Sequence, residues 1–229
     1  MNNSIAIITA RGGSKRIPRK NIKEFLGYPI IKYSIEAALK AGCFEDVIVS
    51  TDDEEIASIA RSLGANVPFL RSKENANDYA TTADVISEVL GEYGKLGQVF
   101  DNFCCLYPTA PFVTAEKLQA ASQLLAAPDT NSVITVTKFD FPILRSFNIT
   151  NGFLEMNWPQ YETARSQDLE IAYHDCGQFY FVKTAHFLHE RKLYSAYAKP
   201  FIVDEMESQD IDNESDWMIA EIKYKLMVK

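Results

Sequence analysis

The stretch SIAIITARGGSKRIPRKN, residues 4–21, decides the fold that we predict for this chain. Its first part, SIAIITA, is a short apolar run rich in β-branched residues, which favours a buried strand. Its second part, ARGGSKRIPRKN, packs five cationic side chains and two glycines into twelve residues. In parallel sheets, ligands bind beyond the carboxyl ends of the strands. The stretch therefore predicts a strand that leads directly into a ligand-binding loop.

Strand-like and helix-like segments alternate along the chain outward from this stretch. The pattern predicts strands at 4–10, 46–52, 66–70, 102–108 and 177–182, and helices at 29–42, 53–65, 82–93, 114–126 and 215–227. Such alternation predicts an α/β fold with a largely parallel sheet. The polar segments that follow the first, second and fourth strands would then share one crevice.

The segment from 139 to 176 breaks this pattern, because it contains turns and aromatic residues and shows little periodicity. We interpret it as an excursion from the sheet. A chain of 229 residues fits one sizeable core. We therefore predict a single domain spanning 1–229, with an insert at 139–176.

Composition and charge exclude several classes of protein. The formal net charge of −8 argues against a generic binder of nucleic acid or of anionic membranes, because such proteins need a broad basic face. No apolar run approaches the roughly 18 residues that span a bilayer, and the N-terminus lacks the pattern of a secretory signal. The four cysteines have no CxxC spacing, which favours reduced thiols. We expect a cytoplasmic protein that binds neither nucleic acid nor membrane.

The basic segment at 10–21 is the first candidate site. Its cations are Arg11, Lys15, Arg16, Arg19 and Lys20. Its glycines allow main-chain N–H groups to turn toward a ligand, so that a polyanion such as a phosphate is the natural partner. The segment matches neither GxGxxG nor GxxxxGK[ST], the standard nucleotide fingerprints. A solvated basic loop is the alternative.

The segment SQDIDNESDW, residues 208–217, is the second candidate site. Asp210 and Asp212 lie two residues apart, so in an extended segment both carboxylates point the same way. That geometry suits Mg²⁺ whose remaining ligands are phosphates and water. The alternative is a helix start, in which Asn213, Glu214 and Asp216 cap the helix and meet its dipole.

Two arginines in the excursion, Arg145 and Arg165, are the third candidate. Arginine binds planar carboxylates through two parallel hydrogen bonds, so they indicate either a carboxylate substrate or surface ion pairs. No Ser/His/Asp or Cys/His arrangement stands out in the sequence. A polyanion loop and a carboxylate pair without a nucleophile are typical of phosphoryl or nucleotidyl transfer.

Six motifs, taken in order along the chain, resemble the CMP-nonulosonate synthetases, which are cytidylyltransferases that activate sialic acid and its bacterial relatives. The motifs are IAIITARGGSKRIPRKNIKEFLGYPII, VIVSTDDEEIASIARSLGA, DYATTADVI, YPTAPF, RSQDLEIAYHDCGQFYF and DIDNESDWMIAE. The match runs from end to end of the chain, and the combination is specific although each motif alone is weak. Within the family, CCLYPTAPF, VPFLR and RSQDLEIAYHD resemble the branch that acts on pseudaminic acid.

The resemblance implies a nucleotide-diphosphosugar-transferase fold, a Rossmann-like three-layer arrangement, and a homodimer in which 139–176 is a dimerisation arm. It implies CTP as co-substrate, a carboxylated nine-carbon sugar as substrate and Mg²⁺ as cofactor. For CTP it implies Arg11, Gly12, Gly13, Lys15, Lys20, Asn21, Asp52, Thr81 and Thr82. For the sugar it implies Tyr107, Arg145, Arg165, Gln167 and Tyr180. It implies Asp210 and Asp212 as metal ligands, and these two with Arg11 and Lys20 as the catalytic residues.

One departure from the family pattern concerns the sugar. Sialic acid synthetases usually carry Gln before PTSP, whereas this chain has Tyr107 before PTAP, which favours a differently substituted sugar. Legionaminic acid, N-acetylneuraminic acid and Kdo are the alternatives to pseudaminic acid. A catalytically silent regulator that binds nucleotide is an alternative of another class, although the intact Lys20, Asp210 and Asp212 count against it.

Overall fold

The structure is a computed structural model, and it describes residues 3–228. Within these residues the strands are β1 (Ser4–Thr9), β2 (Glu24–Phe25), β3 (Tyr28–Pro29), β4 (Asp46–Ser50), β5 (Asn102–Leu106), β6 (Ser132–Lys138), β7 (Phe147–Thr150), β8 (Phe153–Met156), β9 (Tyr173–Lys183) and β10 (Ala198–Ile202). The α-helices are α1 (Ile31–Ala41), α2 (Glu54–Ser62), α3 (Lys73–Ala76), α4 (Thr82–Lys95), α5 (Ala115–Leu125), α6 (Thr184–Glu190) and α7 (Glu214–Met227).

A six-stranded sheet in the order β10-β6-β9-β5-β1-β4 forms the centre of the fold. Strand β1 pairs in parallel with β4 and β5, and β10 pairs in parallel with β6. Strand β9 lies between β5 and β6 and is antiparallel to both. The predicted α/β fold with a mainly parallel sheet is confirmed, with one antiparallel strand inside it.

Helices cover both faces of the sheet, which explains why β1 is apolar along its whole length. Ala6 and Ile8 belong to a buried cluster with residues of α1, α2 and α5. Ile5 and Ile7 point the other way, into a second cluster with residues of α4 and α6. Alternate residues of a strand face opposite sides, so a strand buried on both sides has no polar face. The result is the three-layer arrangement.

A third apolar cluster holds α7 against the basic segment. Phe25 and Trp217 pack edge to face with their ring centroids 5.6 Å apart. Ile17 of the basic segment and Ile211, which precedes α7, are buried in the same cluster. Because Ile211 stands between Asp210 and Asp212, this packing brings the carboxylate pair beside the basic loop.

The sheet differs from the prediction in three respects, and one predicted strand was wrong. The predicted strand at 66–70 is only a bridge between Ile48 and Asn66, because Pro68 has no N–H with which to continue a ladder. Strands β6 and β10 were not predicted. Strand β9 begins at Tyr173, four residues before the predicted start, and its pairing with β6 shifts register between Ile134 and Val136.

The excursion carries a two-stranded hairpin, β7–β8, outside the main sheet. Large apolar side chains of this hairpin are exposed: Phe147, Ile149, Phe153 and Leu154. Strand β9 takes up the last residues assigned to the excursion. The division into a domain at 1–229 and an insert at 139–176 stays a prediction.

Two further observations on the described residues concern the cysteines and the length of the apolar helices. Their cysteines are free: Cys104, Cys105 and Cys176 are buried, and Cys43 is partly buried. None of the helices in residues 3–228 combines the length and the apolar character needed to cross a membrane.

Candidate active site

A cleft of about 470 Å³ opens at the carboxyl ends of β1 and β5. Three segments line it: residues between 9 and 21, between 71 and 85, and between 107 and 109. The first follows β1 and the last follows β5, as expected for a shared crevice at one edge of a parallel sheet. The middle segment contains α3 and the start of α4, and it forms the wall opposite the basic loop.

The basic loop is shaped by two aspartates that follow β4. The N–H of Gly12 donates a hydrogen bond of 2.9 Å to Oδ1 of Asp52. A Cβ at Gly12 would lie 2.8 Å from Oδ2 of Asp53, so only glycine fits this approach. Asp53 caps α2 and pairs with Arg19. The Gly12 N–H therefore bonds to Asp52 instead of turning toward a ligand as predicted.

Four of the five cations in the loop line the cleft: Arg11, Lys15, Arg16 and Lys20. The fifth, Arg19, faces Asp53 and Glu55 instead. Concentrated positive charge in a cleft attracts anions even when the whole protein is acidic. The loop thus has the concentrated charge expected of a polyanion site, in a chain of net negative charge.

One carboxylate neutralises two of these cations. Oδ1 of Asp78 accepts a hydrogen bond of 2.8 Å from Arg11, and its other oxygen pairs with Lys15. Hydrogen bonds from Lys15 and Arg11 hold the pKa of Asp78 below its usual range. Asp78 belongs to the segment opposite the basic loop, so its ion pairs with Arg11 and Lys15 link the two walls of the cleft.

The carboxylate pair meets the other two cations. Arg16 lies 2.7 Å from Oδ1 of Asp212, and Lys20 lies 4.0 Å from the same atom. The surrounding chain partly desolvates the Asp210 carboxyl, and with the charge of Asp212 this raises its pKa. Burial lowers the pKa of Lys20, against the opposing effect of both aspartates.

The helix-start explanation accounts for the neighbours of this pair. Asn213 and Asp216 form a capping box at the start of α7. Oδ2 of Asp216 accepts the N–H groups of Asp212 and Asn213 at 2.9 and 3.0 Å. The carboxylates of Asp210 and Asp212 take no part in the cap, so the helix start does not explain them; that of Asp212 pairs with Arg16 instead.

Arg71 is a cleft residue that sequence reasoning missed. Its side chain is 8% exposed, and it donates 3.0 Å and 2.5 Å hydrogen bonds to Oγ and the main-chain oxygen of Ser50. Burial lowers its pKa. An arginine directly after the apolar run VPFL was the available signal.

Some of the residues expected to bind CTP line the cleft, and others do not. Asn21 and Thr82 line the cleft, and Nδ2 of Asn21 donates 2.8 Å to the main-chain oxygen of Arg11. Thr81 caps α4 through a capping box with Asp84, which is a structural role. Gly12, Gly13 and Asp52 are not among the lining residues, and Asp52 accepts the N–H of Gly12. Their assignment to CTP stays a prediction.

The residues expected to bind the sugar also fall into two groups, one at the cleft and one on the excursion. Tyr107 lines the cleft, and Tyr180 is buried behind it with the two ring centroids 5.5 Å apart. Arg145, Arg165 and Gln167 lie on the excursion and do not line this cleft. Arg165 is paired with Asp168, the surface ion pair that was the alternative.

Known proteins resemble this chain over almost all of its length. A family model described as cytidylyltransferase matches residues 5–210. The chain is 40% identical over 224 residues to the pseudaminic acid cytidylyltransferase of Campylobacter jejuni, covering 97% of each chain. It is 32% identical to the CMP-N,N'-diacetyllegionaminic acid synthase of Legionella pneumophila, covering 95% of this chain and 94% of that protein.

A solved structure agrees with the fold. The complex of CMP:2-keto-3-deoxy-manno-octonic acid synthetase with CTP superimposes with a TM-score of 0.70 and 15% identity, covering 98% of each chain. At this identity the likeness concerns the fold, and it confirms the predicted three-layer arrangement. The family match and the 40% identity to a curated relative show that the chain belongs to the cytidylyltransferases, a family of nucleotidyltransferase enzymes.

Proposed function

We propose that this enzyme joins CTP to a nonulosonic acid and releases pyrophosphate, and that the sugar is of the pseudaminic acid type, as in the relatives of highest similarity reported above. One observation carries the proposal: four cations line one cleft at the carboxyl edge of the sheet, and the carboxylate of Asp212, outside that lining, lies beside two of them, Arg16 and Lys20. The cations match a triphosphate in charge. The carboxylate pair matches the metal that accompanies a triphosphate.

The triphosphate binds along the basic loop in this proposal. Arg11 and Lys15 exchange the carboxylate of Asp78 for phosphate oxygens, and Lys20 stands where the cations and the carboxylate pair meet. The nucleoside lies toward Arg71 and Thr82, whose side chains line the same cleft. A fixed guanidinium and hydroxyl suit the donors and acceptors of a pyrimidine.

The carboxylate pair fits Mg²⁺ by its chemistry. Two hard oxygen ligands from Asp210 and Asp212 leave most positions for phosphate oxygens and water, as is usual for Mg²⁺. Within residues 3–228 no group of three or more His, Cys, Asp or Glu side chains is arranged to hold a metal. The ion would therefore depend on the triphosphate for the rest of its shell. When bound, Mg²⁺ neutralises charge that develops on the phosphates.

The reaction needs no covalent intermediate with the enzyme. The anomeric hydroxyl oxygen of the sugar bonds to the α-phosphorus of CTP, the bond between that phosphorus and the bridging oxygen breaks, and the hydroxyl proton is lost to solvent. Lys20 and Arg11 stabilise the negative charge that passes to pyrophosphate. The protein contributes mainly orientation and charge neutralisation.

The sugar lies beside Tyr107 in this proposal, at the end of the cleft beyond β5. Arg145 and Arg165 lie outside the cleft of their own chain, so a role at the sugar carboxylate requires a second copy. The exposed apolar side chains of the hairpin β7–β8 are suited to such a dimer contact. The compartment we propose is the cytoplasm, in keeping with the free cysteines.

Pyrophosphate release tests the proposal. The enzyme is assayed with Mg²⁺ and CTP against pseudaminic acid, legionaminic acid, N-acetylneuraminic acid and Kdo, with ATP, GTP and UTP as nucleotide controls. We expect turnover with CTP and the highest kcat/KM with pseudaminic acid. Preference for another sugar would correct the substrate and keep the chemistry. CTP binding without turnover for any sugar would favour the silent regulator.

A further inference from the structure

The carboxylate pair lies on an irregular stretch of chain that leads from β10 to α7. We call residues 205–212 of this stretch the carboxylate segment. It begins with one 3₁₀ turn, Glu205–Glu207, and residues 208–213 belong to no helix or strand. The main-chain oxygens of such a segment need donors from elsewhere when they leave water. The positions of Asp210 and Asp212 therefore depend on what holds this segment in place.

Lys223 of α7 holds the carboxylate segment at two points. Its Nζ donates hydrogen bonds of 2.8 Å to the main-chain oxygens of Glu205 and Ser208. These oxygens lie at either end of the 3₁₀ turn, and the second is two residues before Asp210. Within residues 3–228, no Asp or Glu forms an ion pair with this ammonium group. Lys223 thus uses its donors on the main chain of the segment and not on a carboxylate.

Two further side chains bind the same segment. Gln178 of β9 is 2% exposed, and its Nε2 donates a hydrogen bond of 2.6 Å to the main-chain oxygen of Glu207. Lys20 of the basic loop donates to the main-chain oxygen of Ile211 at 2.7 Å. Donors from α7, β9 and the basic loop therefore fix four main-chain oxygens. Because none of these bonds uses a carboxylate oxygen, they set the place of the segment and leave the carboxylates of Asp210 and Asp212 unused.

Fixed carboxylates favour the binding of a divalent cation. The two aspartates carry like charges two residues apart, so they repel each other when no cation lies between them. A loose segment would let them turn apart, and a cation would then have to reorder the segment as it binds. Groups that orient the ligands of a metal without touching it typically change the metal affinity by about 10- to 100-fold.

We propose that Lys223 is a positioning residue that holds Asp210 and Asp212 in place for the divalent cation, with support from Gln178. The inference rests on the proposed function, in which the pair binds Mg²⁺ together with the triphosphate. Lys223 does not line the cleft, so it acts through the main chain at Ser208. It should therefore influence the affinity for CTP with Mg²⁺, but not that for metal-free CTP, whose phosphates meet the basic loop.

The variant Lys223→Met tests this separation. Methionine keeps most of the apolar stem and removes both hydrogen bonds to the segment. Titration calorimetry without sugar gives the Kd for CTP in saturating Mg²⁺ and in EDTA, so that the result does not depend on turnover. We expect the Kd in Mg²⁺ to rise about tenfold and the Kd in EDTA to stay at the wild-type value. Lys223→Arg should restore most of the loss, because a guanidinium group can also donate to two oxygens.

Two other variants check the route of the effect. Gln178→Met removes the bond to Glu207 at similar side-chain size, and it should also raise only the Kd in Mg²⁺. Lys225→Met is the matched control, because Lys225 is exposed on the same helix and forms no hydrogen bond or ion pair with residues 3–228. It should leave both Kd values unchanged.

A mutant cycle shows whether Lys223 acts through the carboxylates. In a background with both Asp210→Asn and Asp212→Asn, the ligands that Lys223 positions are gone. Adding Lys223→Met to this background should then have no further effect on the Kd for CTP in Mg²⁺. An additive effect would show that Lys223 acts by another route.

Two more results would overturn the inference. Equal losses of affinity in Mg²⁺ and in EDTA would mean that Lys223 supports the whole cleft and not the carboxylate pair. Wild-type affinity in Mg²⁺ for Lys223→Met would contradict it directly, and for Gln178→Met if Lys223→Met does not fold. If the double asparagine variant itself binds CTP in Mg²⁺ as tightly as wild type, the metal site of the proposed function is refuted, and this inference with it.

Discussion

Lys20 in the basic loop donates a hydrogen bond of 2.7 Å from Nζ to the main-chain oxygen of Ile211. Ile211 is the residue between Asp210 and Asp212, so this hydrogen bond joins the basic loop to the segment of the carboxylate pair across 191 positions of the sequence. The buried side chains of Ile17 and Ile211 hold the two segments together beneath it. The site therefore consists of a cationic and an anionic half on one apolar base.

Removing one carboxylate of the pair should reduce turnover. For Asp210→Asn or Asp212→Asn we expect kcat to fall about a hundredfold or more, since each carboxylate supports charge neutralisation in the transition state. The Mg²⁺ concentration for half-maximal rate should rise as well. Rates of pyrophosphate release at several Mg²⁺ concentrations measure both. Near-normal rates for both variants would refute the metal assignment.

Lys20→Met should reduce kcat about a hundredfold, because it removes the cation between the triphosphate and the carboxylate pair. Methionine fills much of the same partly buried space, so the melting temperature should change little. Lys23→Met is the matched control: Lys23 follows the same loop, pairs with Glu214 and lies over the ring of Trp217, outside the cleft lining. Similar losses for both lysines would contradict the assignment.

Asp78→Asn should strengthen CTP binding. Asp78 neutralises Arg11 and Lys15 in the unliganded cleft, so the triphosphate has to displace it. Because these ion pairs are exposed, we expect the Kd for CTP to fall only roughly threefold. Titration calorimetry at low and high salt measures the effect, which salt should diminish.

The control for Asp78 lies in the same wall of the cleft. Glu74→Gln removes an exposed charge of α3 that forms no ion pair with the described residues. It should leave the Kd for CTP unchanged. Weaker CTP binding by Asp78→Asn would mean that Asp78 supports the closed wall more than it competes with phosphate.

Gly12→Ala should destabilise the fold by about 1–3 kcal/mol, because the new methyl group overlaps Oδ2 of Asp53. Asp53 cannot move freely, since Oδ1 accepts the N–H groups of Glu55 and Ile56 at 3.0 Å. Gly13→Ala is the control for stability, as nothing lies within 4 Å of its Cβ position. Chemical denaturation measures both, and equal stability would contradict the close approach.

Local sequence patterns were enough to predict the features that depend on neighbouring residues. The apolar run of β1 and the cationic loop after it are adjacent in the sequence. In the structure the run forms a buried strand, and the loop that follows it lines the cleft. Whether the carboxylates of Asp210 and Asp212 belong to the helix cap formed by Asn213 and Asp216 could not be predicted from the sequence. It depends on where α7 begins, and the capping box of Asn213 and Asp216 starts the helix after Asp212.

Contacts between distant segments could not be predicted. Arg71 reaches the cleft by bonding to Ser50 across 21 positions, and Asp78 reaches Arg11 across 67. Strand β9 bends at Gly177, whose φ is +62°, so that Tyr180 can donate a hydrogen bond to Asp175 five residues earlier, and the glycine is the one signal of this bend in the sequence. The resemblance to a family assigned Arg145 to the sugar, but the fold of one chain leaves it outside the cleft.

The fate of the anomeric oxygen tests the central claim most directly. The sugar acid is labelled with oxygen-18 at its anomeric hydroxyl and converted with unlabelled CTP and Mg²⁺, faster than the label exchanges with water. Mass spectrometry then locates the label in the products. If the hydroxyl attacks the α-phosphorus, the label stays in the bridge between sugar and phosphorus of the CMP-sugar. Loss of the label to water would contradict the account, because it would mean that the sugar carbon, not the phosphorus, is attacked.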